Sequence, residues 1–203
     1  MGYSLSWIAT KGLVKDIVYS RLQLSMASNP ARGRESHIQS RDQPDGWRLV
    51  LLNEAEHPLL KVSHLATLSK GCTALACNIE EHVMLGSAEQ WTDGQLLWRL
   101  RHQGDIDTHN LEVSGDPPHV FPKIEEECRS RQASDTEQPP VDFVFEIPPL
   151  VAKSITAFKH DESDREGFEP LQWQGRRTWW RFWQSEIFGI LAAVPTLPQD
   201  RDP

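Results

Sequence analysis

The dipeptide Asp93-Gly94, set between the apolar-bearing runs LGSAEQWT and QLLWRLRH, constrains the fold of this chain more than any other feature. A type I′ turn demands positive φ at both central positions, which Asp-Gly tolerates, and its twist matches that of an antiparallel hairpin. A two-residue turn there pairs Thr92 with Gln95, Trp91 with Leu96, Glu89 with Trp98 and Ser87 with Leu100. Those residues then share one sheet face, the expected core face, while Ala88, Gln90, Arg99 and Arg101 share the other. Glu89 is the anomaly on the core face: a carboxylate there must find donors, stay protonated or lie at the sheet margin.

The preceding run, GCTALACNIEEHVM, extends the hairpin to a three-stranded meander over residues 71–102. Its first turn is less defined, because Glu80-Glu81 lacks a residue suited to positive φ and is either a tight turn or part of a longer loop with a bulge. In the tight form Cys72 falls opposite Glu89, beside Trp98. That makes either a Cys/Glu functional pair or, more simply, a structural thiol and a satisfied or rim carboxylate.

Around the meander, periodicity places the other elements. Tyr3, Leu5 and Trp7 alternate with Ser4 and Ser6 as in a half-buried strand that Gly12 ends. Leu13, Val14, Ile17, Val18 and Leu22 recur at helical steps, predicting an amphipathic helix over residues 13–24. Residues 25–46 are polar and predict a loop, with Arg32, Arg34 and Arg41 as a solvated face. WRLVLL at 47–52 fits a buried strand, and Pro58 opens a helix with Leu59, Val62, Leu65 and Leu68 inward, closed by Gly71. His57 and His64 read as surface histidines rather than a metal pair, since no third ligand is nearby.

Leu111 and Val113 mark a fourth short strand, and Pro122 starts a helix whose apolar side is Phe121, Ile124 and Cys128. Residues 130–140 look like a linker, VDFVFEI at 141–147 alternates like a strand, and Pro148 opens a last helix through Leu150, Val151, Ile155 and Phe158. The fold class expected is α+β: an antiparallel or mixed sheet built around the meander, with helices packed on one face. Residues 1–170 form one domain and residues 171–203 a Trp/Arg-rich extension and tail.

Composition narrows the partners. A net charge of -8 over 203 residues argues against a general nucleic-acid binder, whose affinity rests on cations that neutralise phosphates. Three cysteines, Cys72, Cys77 and Cys128, cannot close a disulfide framework, so a reducing cytoplasm is expected. No apolar run is long enough for a membrane span, and no membrane partner is expected. GxxxxGK[ST], GxGxxG, HExxH and GxSxG are all missing from the sequence, and His160-Asp161-Glu162 lacks the spacing of a calcium loop, so neither a cofactor nor a metal is expected.

Two acidic features stand out: Glu80-Glu81 followed by His82, and the run at 161–169 that contains Asp161 and Glu162. The C-terminal stretch interleaves Trp173, Trp179, Trp180 and Trp183 with Arg176, Arg177 and Arg181. It fits an apolar cap, a partner anchor or, least well because its helical spacing is partial, an interfacial membrane helix. The partner-binding candidates are therefore Glu80, Glu81, His82, Asp161, Glu162, Trp179 and Trp183.

The opening MGYSLSWIA, the central ALACNIEEHVMLGSAEQW with TDG and LLWRLRH, and the later VDFVFEIPPLVAKSITAFKHDE resemble a family of small, uncharacterised bacterial proteins. The matching stretches are patterns of fold, and the resemblance implies no established active site, so no catalytic residue is carried over from it. Charge and the missing motifs point to a non-catalytic, cytoplasmic protein-binding protein, most concretely an immunity protein that neutralises a basic bacterial toxin through an acidic surface. The alternative is a small hydrolase-like enzyme with Glu89 as general acid or base and Cys72 or His102 close by.

Overall fold

The computed structural model describes residues 2–27, 37–43, 45–137, 141–164 and 166–175. The chain divides into one compact unit, Met1–Trp173, and a second, Gln174–Pro203, of which only Gln174 and Gly175 are described. Trp179 and Trp183 thus lie outside the described residues, as do Arg32 and Arg34.

The first unit is an α+β fold on a nine-stranded sheet. Its strands are β1 (Ser4–Lys11), β2 (Leu24–Met26), β3 (Ile38–Asp42), β4 (Trp47–Leu52), β5 (Thr73–Glu80), β6 (Leu85–Thr92), β7 (Gln95–Gln103), β8 (Glu112–Gly115) and β9 (Glu169–Trp173). Their order across the sheet is β2-β9-β3-β4-β1-β5-β6-β7-β8, and every neighbouring pair is antiparallel. The helices are α1 (Lys15–Leu22), α2 (Val62–Leu68), α3 (Phe121–Ser134) and α4 (Ile147–Thr156).

The helices divide between the two faces instead of gathering on one. Val18, Tyr19 and Leu22 of α1 and Leu65 and Leu68 of α2 pack with Ile8, Val50, Leu52, Ala74 and Ala76. On the other side Phe121 and Cys128 of α3 and Ile147, Val151 and Ala152 of α4 pack with Trp7, Leu49, Leu51, Leu75, Cys77 and Leu100. The reason is in the central strands: β1, β4 and β5 are apolar at successive positions, and a strand apolar on both sides needs two covering layers. Each fully buried Leu or Val stabilises by about 1.5–3 kcal/mol, so an uncovered second face would be costly.

The Asp93-Gly94 turn forms as expected, with φ of 51° and 83° and with Thr92 paired to Gln95 and Trp91 to Leu96. Beyond it the register departs from the ideal ladder. A bulge between Gln90 and Trp91 shifts β7 by one residue, so Glu89 faces Arg99 and Ala88 faces Leu100. One extra residue reverses every later side chain. Trp91 therefore joins the α1/α2 face while Trp98 joins the α3/α4 face, and the expected shared core face is split.

Three further expectations are corrected. Residues 141–147 do not form a strand: Val144–Glu146 is a 3-10 turn leading into α4, and Val144, Phe145 and Ile147 are buried under the sheet. The polar segment at 25–46 contains β3, whose Gln39 and Ser40 are buried between β4 and β9, and Arg41 is only 19% exposed. His57 is also buried: its Nδ1 accepts from the Leu59 backbone N–H at 3.2 Å, capping a 3-10 turn, and its ring lies 5.3 Å from that of Trp173. β9 spans the boundary expected at 170/171.

Candidate functional site: an acidic cleft

Chain segments remote in sequence converge on the α3/α4 side of the sheet. The β5–β6 connection is a four-residue loop, since Glu80 pairs with Leu85 and Met84 adopts a φ of 47°. It presents Glu81 and Met84. The turn before α4 presents Asp142, Phe143, Phe145 and Glu146, and the segment after α4 presents Lys159, Asp161 and Glu162. Together with Arg131 and Leu150 these residues line a cleft of about 650 Å³. Five carboxylates meet two cations there, over a partly aromatic floor.

Lys159 is the centre of this arrangement. Its side chain is 4% exposed, and its ammonium reaches Asp161 at 2.7 Å, Glu146 at 2.9 Å and Glu162 at 3.6 Å. Burial opposes the charge, but hydrogen bonds to Asp161 and Glu146 outweigh it and hold the Lys159 pKa above the ordinary lysine value. The same contact holds Asp161 ionised: burial would raise its pKa, and the Lys159 hydrogen bond and charge bring it below the usual carboxylate value. Glu162 is lowered as well, chiefly by its hydrogen bond from Lys153.

Next to Lys159, His160 is 1% exposed, with its Nε2 3.5 Å from Glu81 Oε1 and its ring edge-on to Tyr3 at 4.9 Å. Burial pushes its pKa below the ordinary histidine value, against the pull of Asp161 and Glu81, so the ring is neutral at pH 7. Glu81 is held in place by the Tyr3 backbone N–H, which donates to its Oε2 at 2.7 Å. At the cleft floor Asp142 accepts from His102 Nε2 at 2.8 Å and from the Phe145 backbone N–H at 3.2 Å. Glycine is required beside it, since a Cβ on Gly104 would stand 2.2 Å from Asp142 Oδ2.

The two acidic features picked out in the sequence are thus brought together: Glu81, Asp161 and Glu162 line one cleft. Glu80 and His82 stand beside it, paired to each other at 2.5 Å, with Glu80 also accepting from the Ser4 hydroxyl at 2.6 Å. That Ser4 bond is the main reason the Glu80 pKa lies below the usual carboxylate range. Asp142 and Glu146 look like strand positions in the alternation of VDFVFEI, and Lys159 lies after α4 in a segment that the sequence marks only by its acidic residues. The double proline after Ile147 marks the helix entry, but no sequence signal shows that the residues before it form a turn or that Lys159 is buried against them.

The enzyme residues are not brought together. Glu89 pairs in register with Ala76 and Arg99, whereas Cys72 lies before β5 with its thiol donating to the Leu68 carbonyl at 3.3 Å. Glu89 accepts from Arg99 Nε at 2.5 Å, so the bulge supplies the donor that the anomalous carboxylate needed. His102 follows Leu100 on the opposite sheet face and is committed to Asp142. Burial pushes the Cys72 thiol pKa up, away from the nucleophilic thiolate. All three cysteines are free and buried.

Among the described residues no cluster of three or more His, Cys, Asp or Glu is arranged to hold a metal ion, and no helix is long and apolar enough to cross a membrane. Comparison with protein-family models, with curated proteins and with solved structures finds no match to this chain.

Proposed function

We propose that this chain is a protein-binding protein whose acidic cleft takes a basic surface of its partner, most concretely as an immunity protein that neutralises a basic bacterial toxin in the cytoplasm. One observation carries the reading: Glu81 from the β5–β6 loop and Asp161 and Glu162 from the segment after α4 share a cleft with Asp142 and Glu146. Carboxylates concentrated on a concave surface steer a cationic partner and exclude an acidic one. Met84, Phe143 and Leu150 add the apolar contact that an interface needs at its centre.

The test is an affinity pulldown of the tagged chain from its native host at low and physiological salt, followed by titration of the captured partner against Glu81→Gln and Glu162→Lys. A basic, near-stoichiometric partner whose binding weakens about tenfold or more in either variant is expected. Capture that is indifferent both to salt and to these substitutions would sink the acidic-cleft reading. Circular dichroism of each variant separates loss of contact from loss of fold.

A further inference from the structure

We propose that a second pocket, on the α1/α2 face of the sheet, binds a small oxyanion, a phosphate or carboxylate group, through Lys15, Arg48 and the hydroxyl of Ser40. The pocket encloses about 270 Å³ where β3 runs past the start of β9. Register sets its wall. Arg48 of β4 faces Thr10 of β1 on one side and Asp42 of β3 on the other, and Ser40 lies two residues from Asp42 on the same face. Lys15 reaches in from the first turn of α1.

Independent of the cations, the Ser40 hydroxyl in the pocket wall is buried without a hydrogen-bond partner, as are the hydroxyls of Thr10 and Tyr19 on residues that neighbour Arg48. Ser40 is fully buried and lines the pocket. The Tyr19 ring lies 5.5 Å from Lys15 Nζ and 5.8 Å from the Arg48 guanidinium. Buried hydroxyls normally find partners, and a wall that joins the orphaned Ser40 O–H to two cations is complementary to an oxygen-rich anion.

The present partners of these cations can give way. Arg48 is 12% exposed but its partner Asp42, at 2.6 Å, is 71% exposed. Lys15 is paired with Glu169, which is 45% exposed. The acids can turn to solvent while the Arg48 guanidinium stays, so an incoming oxyanion takes their place. Because Asp42 and Glu169 compete for the same donors, the affinity is modest, about millimolar. This site is separate from the acidic cleft, and neither proposal depends on the other.

Thermal unfolding of the full chain, titrated with inorganic phosphate or with acetate against sodium chloride at matched ionic strength, tests it. A saturable rise in Tm with at least one of the two anions is expected, and which anion gives it identifies the group recognised. Lys15→Met and Ser40→Ala each weaken the response about fivefold or more, while Glu169→Gln strengthens it by removing a competitor. Ser40→Ala deletes an unpartnered hydroxyl, so the variant folds at least as stably without anion, and its loss of response is not a loss of structure. No saturable rise beyond chloride, or a rise kept intact in both Lys15→Met and Ser40→Ala, overturns the proposal.

Discussion

Replacing Asp142 by Asn tests how the floor of the acidic cleft is held. His102 faces Asp142 Oδ2 with Nε2 at 2.8 Å and the Asn110 carbonyl with Nδ1 at 2.5 Å. Opposite a carboxylate and a carbonyl, which only accept, both contacts are hydrogen bonds when both ring nitrogens carry hydrogen. That arrangement favours the imidazolium form of the buried ring. Burial works against that charge, but the bonds to Asp142 and Asn110 and the negative charge of Asp142 override it and lift the pKa above the ordinary value.

A folded-state pKa above the unfolded one means that the pair's stabilisation is fully present below about pH 6.5 and is lost as pH rises through the folded value. Asp142→Asn keeps the shape and an oxygen for the Phe145 N–H, but it removes the counter-charge from a ring that is 0% exposed. A hydrogen bond to a buried charged group contributes about 1.5–3 kcal/mol, and the burial here places the loss near 3 kcal/mol in acid. Urea denaturation at about pH 5.5 and pH 8.5 reads it: a large destabilisation at the lower pH that shrinks to roughly 1 kcal/mol or less at the higher. Equal destabilisation at both values would refute the imidazolium assignment.

Lys159→Met has the opposite pH signature. Without the ammonium, Glu146, Asp161 and Glu162 repel one another, costing about 2–3 kcal/mol near pH 7, below the full cost of a broken buried pair because these carboxylates are 30–47% exposed. Asp161 and Glu162 have lowered pKa values in the fold, so the stability they contribute is present above their unfolded values and is lost as pH falls; the penalty of the variant shrinks in acid. A penalty that grows in acid would contradict this account. Gly115→Ala probes the β7–β8 edge: Gly115 has a φ of 74° and a Cβ there would stand 2.0 Å from the Leu97 carbonyl oxygen. A loss of about 1–3 kcal/mol in urea is expected, and unchanged stability would dismiss the pairing of Trp98 with Gly115.

Local chemistry settled the parts of this protein that a few adjacent residues can dictate. Asp93-Gly94 makes its hairpin because only residues tolerant of positive φ fit both turn positions, and Pro148 opens α4 because a proline costs nothing where the first-turn N–H has no helical partner. The α+β class followed from the same short-range patterns, as did the strands at the start of the chain and at WRLVLL. The acidic residues Glu81, Asp161 and Glu162 were visible as charge, though not as neighbours.

Only the tertiary structure decided which residues meet. The bulge at Gln90/Trp91 inserts one residue and so moves Trp98 to the opposite face from Trp91, a change that no period-two pattern records. The unbroken apolar runs of β1, β4 and β5 called for helices on both faces, yet which helix takes which face depends on packing between distant segments. Residues 141–147 alternate like a strand but fold as a turn, because Val144, Phe145 and Ile147 are buried under a sheet whose ladder is already formed by other strands. Burial also converts polar residues that look solvated, such as Ser40 and Lys159, into the walls of the two sites. The charge of Lys159 is set by desolvation and by a partner on another element, Glu146, and neither quantity is local to the sequence.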